Sequence, residues 1–184
     1  MGAASQLRRM SLEEYFAFEE KSRRKHEFVN GAVYAMAGGS LTHNRIALNI
    51  AGALNGAARG SGCQVFITDV KLKIGDERVY YPDVMVTCDP SDNNELYVTR
   101  PCVLVEVLSP TTQRTDRTEK LEKYLEIPSL RLYAMVSPYR RQIEAYERAN
   151  DRWEFKTLNE GGSLEIPCLA ASLSLDEVYQ GIAI

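Results

Sequence analysis

The apolar positions of this chain change period several times, and each change marks an element. Ser11-Leu12-Glu13-Glu14 has serine and, three residues on, glutamate, the spacing of a capping box, and predicts a helix running to about Lys21. A charged stretch, residues 21–26, follows. Residues 27–36 predict two short strands around Asn30-Gly31, a dipeptide that readily takes the positive φ of a tight hairpin turn. Gly38-Gly39 ends that hairpin. From Ser40 to about Arg59, the recurrence of Ile46, Ile50, Leu54 and Ala57 at spacings of four or three predicts a long amphipathic helix that stops near Gly60 and Gly62.

Strands are then predicted at 63–67, 70–74, 79–81 (after a Gly75-Asp76 turn) and 83–87, with the polar residues 89–94 forming a loop. Residues 101–108, Pro-Cys-Val-Leu-Val-Glu-Val-Leu, are apolar at both parities except for one carboxylate, which predicts a strand covered on both faces. Ser109-Pro110 stops it, and a helix is expected from about Thr115 to Glu126. Further strands are predicted at 131–136, 142–148 and 153–157, joined by turns at Ser137-Pro138 and Asn150-Asp151, with a short helix at 175–179. No repeat, low-complexity tract or linker interrupts this order. The expectation is one α+β (α/β) domain over 1–184, a mixed central β-sheet flanked by helices.

Composition narrows the function classes. With 184 residues, 45% hydrophobic and 26% charged, the chain can bury a full core and is too apolar to be disordered. Lys plus Arg number 22 against 25 acidic residues, a formal net charge of -3, which excludes a polybasic protein that coats nucleic acid by charge alone but leaves room for a local basic groove. The four cysteines, Cys63, Cys88, Cys102 and Cys168, are far apart, form no C-x-x-C pair, and are accompanied by only two histidines. Reduced, mostly buried thiols in a cytoplasmic protein are therefore expected, rather than a structural zinc site or a disulfide framework. No apolar run approaches the roughly 18 residues that span a bilayer. The first residues lack an apolar signal core, and Gln6 stands where a myristoylation motif has Ser or Thr.

Against this background a few polar residues stand out. Glu106 lies inside the most apolar strand, where an ionised carboxylate costs several kcal/mol unless a cation or hydrogen-bond donors compensate it. Asp83, behind Pro82, opens another apolar run; the proline fits an edge strand or a bulge. Adjacent strands could hold both carboxylates on one face, an oxygen-ligand site for a hard cation such as Mg²⁺ or Mn²⁺. On the helix from Thr115, Leu121, Tyr124 and Leu125 define the buried stripe. Lys120 falls at its border and Lys123 almost opposite, so Lys120 can point toward the sheet. Glu27 precedes the Phe28-Val29 strand, and His43 is in register with Ile46 and Ile50. Each has a plainer reading. Glu106 could pair with an arginine, Lys120 could be a snorkelling border lysine or the i,i+4 partner of Asp116, Glu27 could pair with Arg23 or Arg24, and His43 could be a hydrogen-bonded core residue.

Taken together, Pro82-Asp83, Val105-Glu106-Val107-Leu108-Ser109-Pro110, and Asp116 followed by Glu119-Lys120 and Tyr124 resemble the PD-(D/E)XK restriction-endonuclease-like superfamily, and more closely its Uma-type family. The likeness extends over almost the whole chain, from the early Leu-x-x-Tyr helix through Glu27-Phe28-Val29-Asn30-Gly31 to the strand after the lysine helix. One departure stands out: the parent motif puts lysine two residues after the second acid, where this chain has Leu108. The Uma-type family supplies the lysine from the following helix, at the position of Lys120, with Lys123 as the fallback.

The resemblance implies a restriction-endonuclease-like fold and Mg²⁺-dependent hydrolysis of phosphodiester bonds, most simply of DNA. Asp83, Glu106, the backbone carbonyl of Val107 and Glu27 would hold Mg²⁺ (Mn²⁺ as alternative). Lys120 would orient or deprotonate the attacking water or stabilise the transition state, and His43 would bind a phosphate or a water. Lys21, Arg23, Arg24, Lys25, Arg114 and Arg117 bracket these positions in sequence and are the candidate phosphate contacts. Cutting both strands of a duplex would suit a homodimer. The competing reading is a catalytically inactive module that keeps the fold and binds nucleic acid or protein.

Overall fold

The computed structural model describes residues 9–184, so the amino-terminal residues read for targeting signals lie outside it. Helix α1, Leu12–Lys21, opens with the predicted capping box: Ser11 accepts from the Glu14 amide and Glu14 accepts from the Ser11 amide. The hairpin β1 (His26–Val29) and β2 (Ala32–Ala35) turns on Asn30 and Gly31, with φ of 49° and 85°. Helix α2, Leu41–Ala58, is capped by the Ser40 hydroxyl and buries Ile46, Ile50 and Leu54, the predicted stripe.

Then come β3 (Gln64–Ile67), β4 (Lys71–Ile74), β5 (Arg78–Tyr80), β6 (Val84–Thr87), the short β7 (Tyr97–Val98) and β8 (Pro101–Val107), every residue of which is buried. Helix α3, residues 113–125, joins an α-helical turn at Gln113–Thr115, a π-helical turn at Asp116–Lys120 and a final α-helical stretch at Leu121–Leu125. Strands β9 (Leu132–Val136), β10 (Ile143–Ala149) and β11 (Arg152–Leu158) follow, then the hairpin β12 (Ser163–Ile166) and β13 (Ala171–Ser174), with a 3-10 turn at Pro167–Leu169 between them. Helix α4 is Leu175–Val178.

The expected mixed sheet is present, and further sheets accompany it. A six-stranded mixed sheet runs β11-β10-β9-β8-β6-β3, parallel only between β8 and β9. A second sheet runs β2-β1-β5-β4-β7, and β12-β13 stand apart. The strands predicted after α2 therefore split between two sheets, a partition that depends on pairing across long sequence distances. Strand β6 begins after Pro82, and its irregular register against β8 falls at Val86 and Thr87 rather than at the proline.

Side-chain parity assigns the two faces of the six-stranded sheet. Val84, Val86, Val103, Val105 and Val107 face α2 and the carboxy-terminal segments. Met85, Leu104 and Leu108 face the other way, into a core shared with Tyr80 of the second sheet and Tyr124 of α3. Glu106 has the parity of Leu104 and Leu108, so its carboxylate enters the space between the two sheets and α3. The same register pairs Met85 with Leu104 and so puts Asp83 on that face. Leu108, where the parent motif has lysine, is committed to this apolar core.

The carboxy-terminal segment is fastened by Tyr179, whose buried hydroxyl lies 2.8 Å from the Ser137 carbonyl, to which it donates, and accepts from the Gln142 amide at 3.0 Å. Tyr179→Phe is expected to cost about 1–3 kcal/mol, because it strips buried backbone groups of a partner. Urea unfolding would measure it, and a loss below a few tenths of a kcal/mol would show that water replaces the hydroxyl.

The four cysteines depart from expectation. They are paired, Cys63 with Cys88 and Cys102 with Cys168, and only Cys102 is buried. Residues 25 and 66 apart in sequence meet because the exit from α2, the end of β6, the start of β8 and the 3-10 turn converge on one point.

Candidate active site

Four carboxylates and one ammonium meet between the two sheets and α3. Lys120 Nζ lies 2.8 Å from Glu27 Oε1, 3.1 Å from Glu106 Oε1 and 3.3 Å from Asp116 Oδ1. Its side chain is only 4% exposed, and those of Glu106 and Asp116 are 6% and 1% exposed. Tyr124, one turn beyond Lys120, donates its hydroxyl to the same Glu106 oxygen at 2.9 Å. Asp83 takes a 2.7 Å hydrogen bond from the Val107 amide on one oxygen and lies 2.9 Å from His43 Nε2 on the other. The neighbouring strands β6 and β8 thus present Asp83 and Glu106 side by side, while β1 brings Glu27 and α2 brings His43.

The inward turn of Lys120 has a local cause. Lys120 stands one turn before the fully buried Tyr124 and shares its face, and the π-helical turn at Asp116–Lys120 ends on it. Asp116 and Lys120 both become buried. The helix is held in this orientation from both ends. Ser109 accepts from the Thr112 amide at its start, the Arg78 and Tyr80 side chains of β5 grip Glu119, and Tyr133 donates to the Asp116 carbonyl. Lys123 pairs with Glu122 and Glu126 at the surface, away from the acids.

The plainer readings divide. Lys120 is indeed the i,i+4 partner of Asp116, and at the same time reaches Glu106 and Glu27. Glu27 pairs with Lys120. The arginines near the site are engaged with other residues, Arg78 with Glu77 and Glu119, and Arg117 with Glu144 in a two-pronged contact.

Sequence reasoning missed the hydroxyl of Tyr124 as a polar partner, and Gly39 as a packing residue. A Cβ on Gly39 would come within 2.8 Å of the His43 ring, so a side chain there would displace the imidazole. The recurring four-residue step of Asp116, Lys120 and Tyr124 was the available signal for the first.

The charge balance is lopsided. Burial pushes the Glu106 carboxyl well above its ordinary value, Lys120 opposes the shift, and the charges of Asp116, Asp83 and Glu27 add to it. Asp116 is also raised, chiefly by burial, and its carboxylate oxygens are buried without a hydrogen bond of acceptable geometry. Lys120 is raised well above its ordinary value because the three surrounding carboxylates outweigh its own burial. A buried oxygen-rich cluster with more acids than one lysine can neutralise is the donor set that a hard divalent cation requires. The residue types present therefore fit such an ion.

His43 gives a direct electrostatic probe. The hydrogen bond to Asp83 raises the imidazole above its ordinary 6.5, against the lowering effect of burial. In the metal-free protein the ring should therefore titrate above 6.5, and the stability it contributes is complete below 6.5 and lost as pH rises through the folded value. In Asp83→Asn the carboxylate is gone and burial prevails, so the His43 value should drop below 6.5. Proton NMR of the ring resonances measures both, and an unmoved titration would mean that Asp83 is not its partner.

Similarity to known proteins extends over most of the chain. The sequence profile of the Uma2 family, described as "Putative restriction endonuclease", matches residues 12–177. A protein of Synechocystis sp., "Uncharacterized protein slr1290", is 37% identical over 179 residues, spanning 95% of this chain and 94% of that one. A second from the same organism, "Uncharacterized protein sll1609", is 32% identical over 157 residues, spanning 83% and 89%. Among solved structures, the crystal structure of "a putative nuclease belonging to DUF820" from Anabaena variabilis superposes with a TM-score of 0.76 at 17% identity, over 92% of this chain and 97% of that one. At that identity the likeness speaks for a shared fold.

Proposed function

Because this chain belongs to the Uma2 family, described as "Putative restriction endonuclease", we propose that it is a single-domain, divalent-metal-dependent endonuclease that hydrolyses phosphodiester bonds of DNA in the cytoplasm. The observation that carries this reading is the convergence of Lys120 Nζ on Glu106 and Glu27, with Asp83 on the adjoining strand and no arginine in the cluster among the described residues. Four carboxylates with one lysine and one histidine are an excess of acid that a bound divalent cation would compensate.

Asp83 and Glu106 would hold the cation, Mg²⁺ or Mn²⁺, with the Val107 carbonyl and Glu27 completing the set. When bound, the ion supplies positive charge for the phosphate oxygens and acidifies water. Lys120 would orient or deprotonate the attacking water or stabilise charge growing on the phosphate, and the surrounding carboxylates, which raise it well above its ordinary value, favour the ammonium form. Tyr124 and Asp116 fix the Glu106 carboxylate and the Lys120 ammonium, respectively. His43 orients Asp83.

Substrate contacts come from exposed basic residues. Lys21, Arg23, Arg24 and Lys25 lie exposed before β1, and Arg114 is exposed on α3. Lys25 and Lys71 both lie over the Tyr81 ring, at 5.8 and 5.6 Å, and burial together with the Lys25 charge lowers the Lys71 pKa. Two crowded ammonium groups favour an anion. Arg117, committed to Glu144, drops from the set. The Arg23→Ala/Arg24→Ala double substitution should weaken binding equally across DNA sequences and reduce the salt slope by about 1 per lost contact. An unchanged slope would place the duplex elsewhere.

The deciding experiment is a cleavage assay with Mg²⁺ and Mn²⁺ on duplex and single-stranded DNA and on RNA, comparing wild type, Asp83→Ala and Glu106→Ala, with molecular mass in solution measured for the expected homodimer. Cleavage should need the added cation and vanish in both variants. Activity that survives both substitutions would overturn the site. Binding without cleavage of any substrate would instead mark an inactive nuclease fold.

A further inference from the structure

The four cysteines lie at the opposite end of the strands that carry the acids. Asp83 precedes β6 and Cys88 follows it, while Cys102 is near the start of β8 and Glu106 near its end. At about 3.3 Å per residue, the two clusters are separated by roughly 13–17 Å of extended chain. They are chemically distinct: one is rich in carboxylate oxygen, the other in sulfur.

Two disulfides that serve only as staples have no reason to touch. Here they abut. The Sγ atoms of Cys88 and Cys102, which belong to different disulfides, are 3.7 Å apart, and those of Cys88, Cys102 and Cys168 all lie within 4.8 Å of one another. Cys63 enters the group through its bond to Cys88, with its sulfur 3.7 Å from the Cys168 carbonyl. In a tetrahedral zinc site with Zn–S of about 2.3 Å, neighbouring sulfurs are about 3.8 Å apart, which is the spacing found between Cys88 and Cys102. The sulfurs arrive from four separate segments, one each from the α2–β3 connection, the end of β6, the start of β8 and the 3-10 turn.

We propose that these four cysteines form a redox-controlled zinc site. In the reduced chain Cys63, Cys88, Cys102 and Cys168 bind one Zn²⁺ as thiolates; in the oxidised chain they are the two disulfides described above, whose sulfurs have no thiolate to offer. A thiolate set selects Zn²⁺ over the Mg²⁺ suited to the acidic cluster. The chemistry balances with ordinary partners. Two dithiol reductants each give two electrons and two protons to one disulfide and close into cyclic disulfides; zinc then displaces the four thiol protons. In reverse, two molecules of hydrogen peroxide take four electrons from the four thiolates and, with four protons, become four waters as zinc leaves. A reducing cytoplasm would hold the site in its zinc form.

The test uses the full chain, reduced with a dithiol, freed of it under anaerobic conditions and titrated with Co²⁺ alone. One equivalent per chain should produce the thiolate-to-cobalt charge-transfer band and the intense visible absorption of tetrahedral cobalt, and one equivalent of Zn²⁺ should displace it. Peroxide should then abolish the band together with all four titratable thiols. Asp83→Asn should leave the signal intact, because cobalt in an oxygen site gives no such band, whereas Cys102→Ser should lose stoichiometric binding. The inference is overturned if the reduced wild type, with four free thiols, gives no band, if Cys102→Ser binds as wild type does, or if the folded protein resists reduction and the disulfides are permanent. The wild-type titration decides even where the serine variant fails to fold.

Discussion

Lys120→Met is expected to lower cleavage by about 10²–10³-fold and to destabilise the metal-free protein by about 3–5 kcal/mol, since it leaves Glu106 and Asp116 buried without their cation. The two losses have different origins and can be separated. Adding Glu106→Gln removes one of the two carboxylates that Lys120→Met strands, leaving Asp116, so the double variant should regain part of the stability and none of the activity. Urea unfolding and single-turnover cleavage measure the pair. If Lys120→Met kept wild-type cleavage, the ammonium would be a structural counter-ion and the proposed mechanism would lose its electrostatic centre.

Glu106→Gln alone should behave in the opposite way: cleavage falls by about 10²-fold or more, while the metal-free fold becomes more stable at neutral pH. The folded pKa of Glu106 lies above its ordinary 4.5, chiefly through burial, so the folded state binds more protons than the unfolded state between those two values. Stability in the absence of metal therefore declines as pH rises through that interval, at a limiting slope of about 1.4 kcal/mol per pH unit. Asp116 and His43 are also raised and contribute in the same direction. The substitution should flatten the decline, and Mg²⁺ should do so in the wild type by compensating the excess acids. Thermal unfolding from pH 4.5 to 8, with and without Mg²⁺, reads both effects. A wild type that gained stability over this range without metal would contradict the account of the site as acid-rich and strained by its own charge.

Much of this site was legible in the sequence because its anomalies are local. A carboxylate in an unbroken apolar strand identifies Glu106, and Pro82-Asp83 before a second such run identifies Asp83. The helix periods, the capping box at Ser11 and the turn at Asn30-Gly31 are local too, and the corresponding elements form within a residue or two of expectation. What escaped depends on distant pairing. The division into two sheets rests on β1 joining β5, and nothing in the Phe28-Val29 segment specifies that partner. The hairpin β12-β13 is built partly from Ala171, Ser172 and Ser174, weak strand formers that no pattern distinguishes from loop. The cysteines escaped for a similar reason. Each sulfur comes from a different segment, and only the folded strands bring the paired cysteines together.

The wide turn in α3 has a consequence for how this chain tolerates change in length. Residues 116–120 close on an i,i+5 turn rather than an i,i+4 turn and so carry about one residue of slack. Loss of Arg117 or Thr118 would return the helix to even winding and leave Lys120 on nearly the same face, because the missing residue and the narrower turn cancel. An insertion in that turn has no such cover and would carry the ammonium away from the carboxylates. Among related chains, a one-residue deletion in this turn is therefore the change in length that keeps a lysine beside the acids.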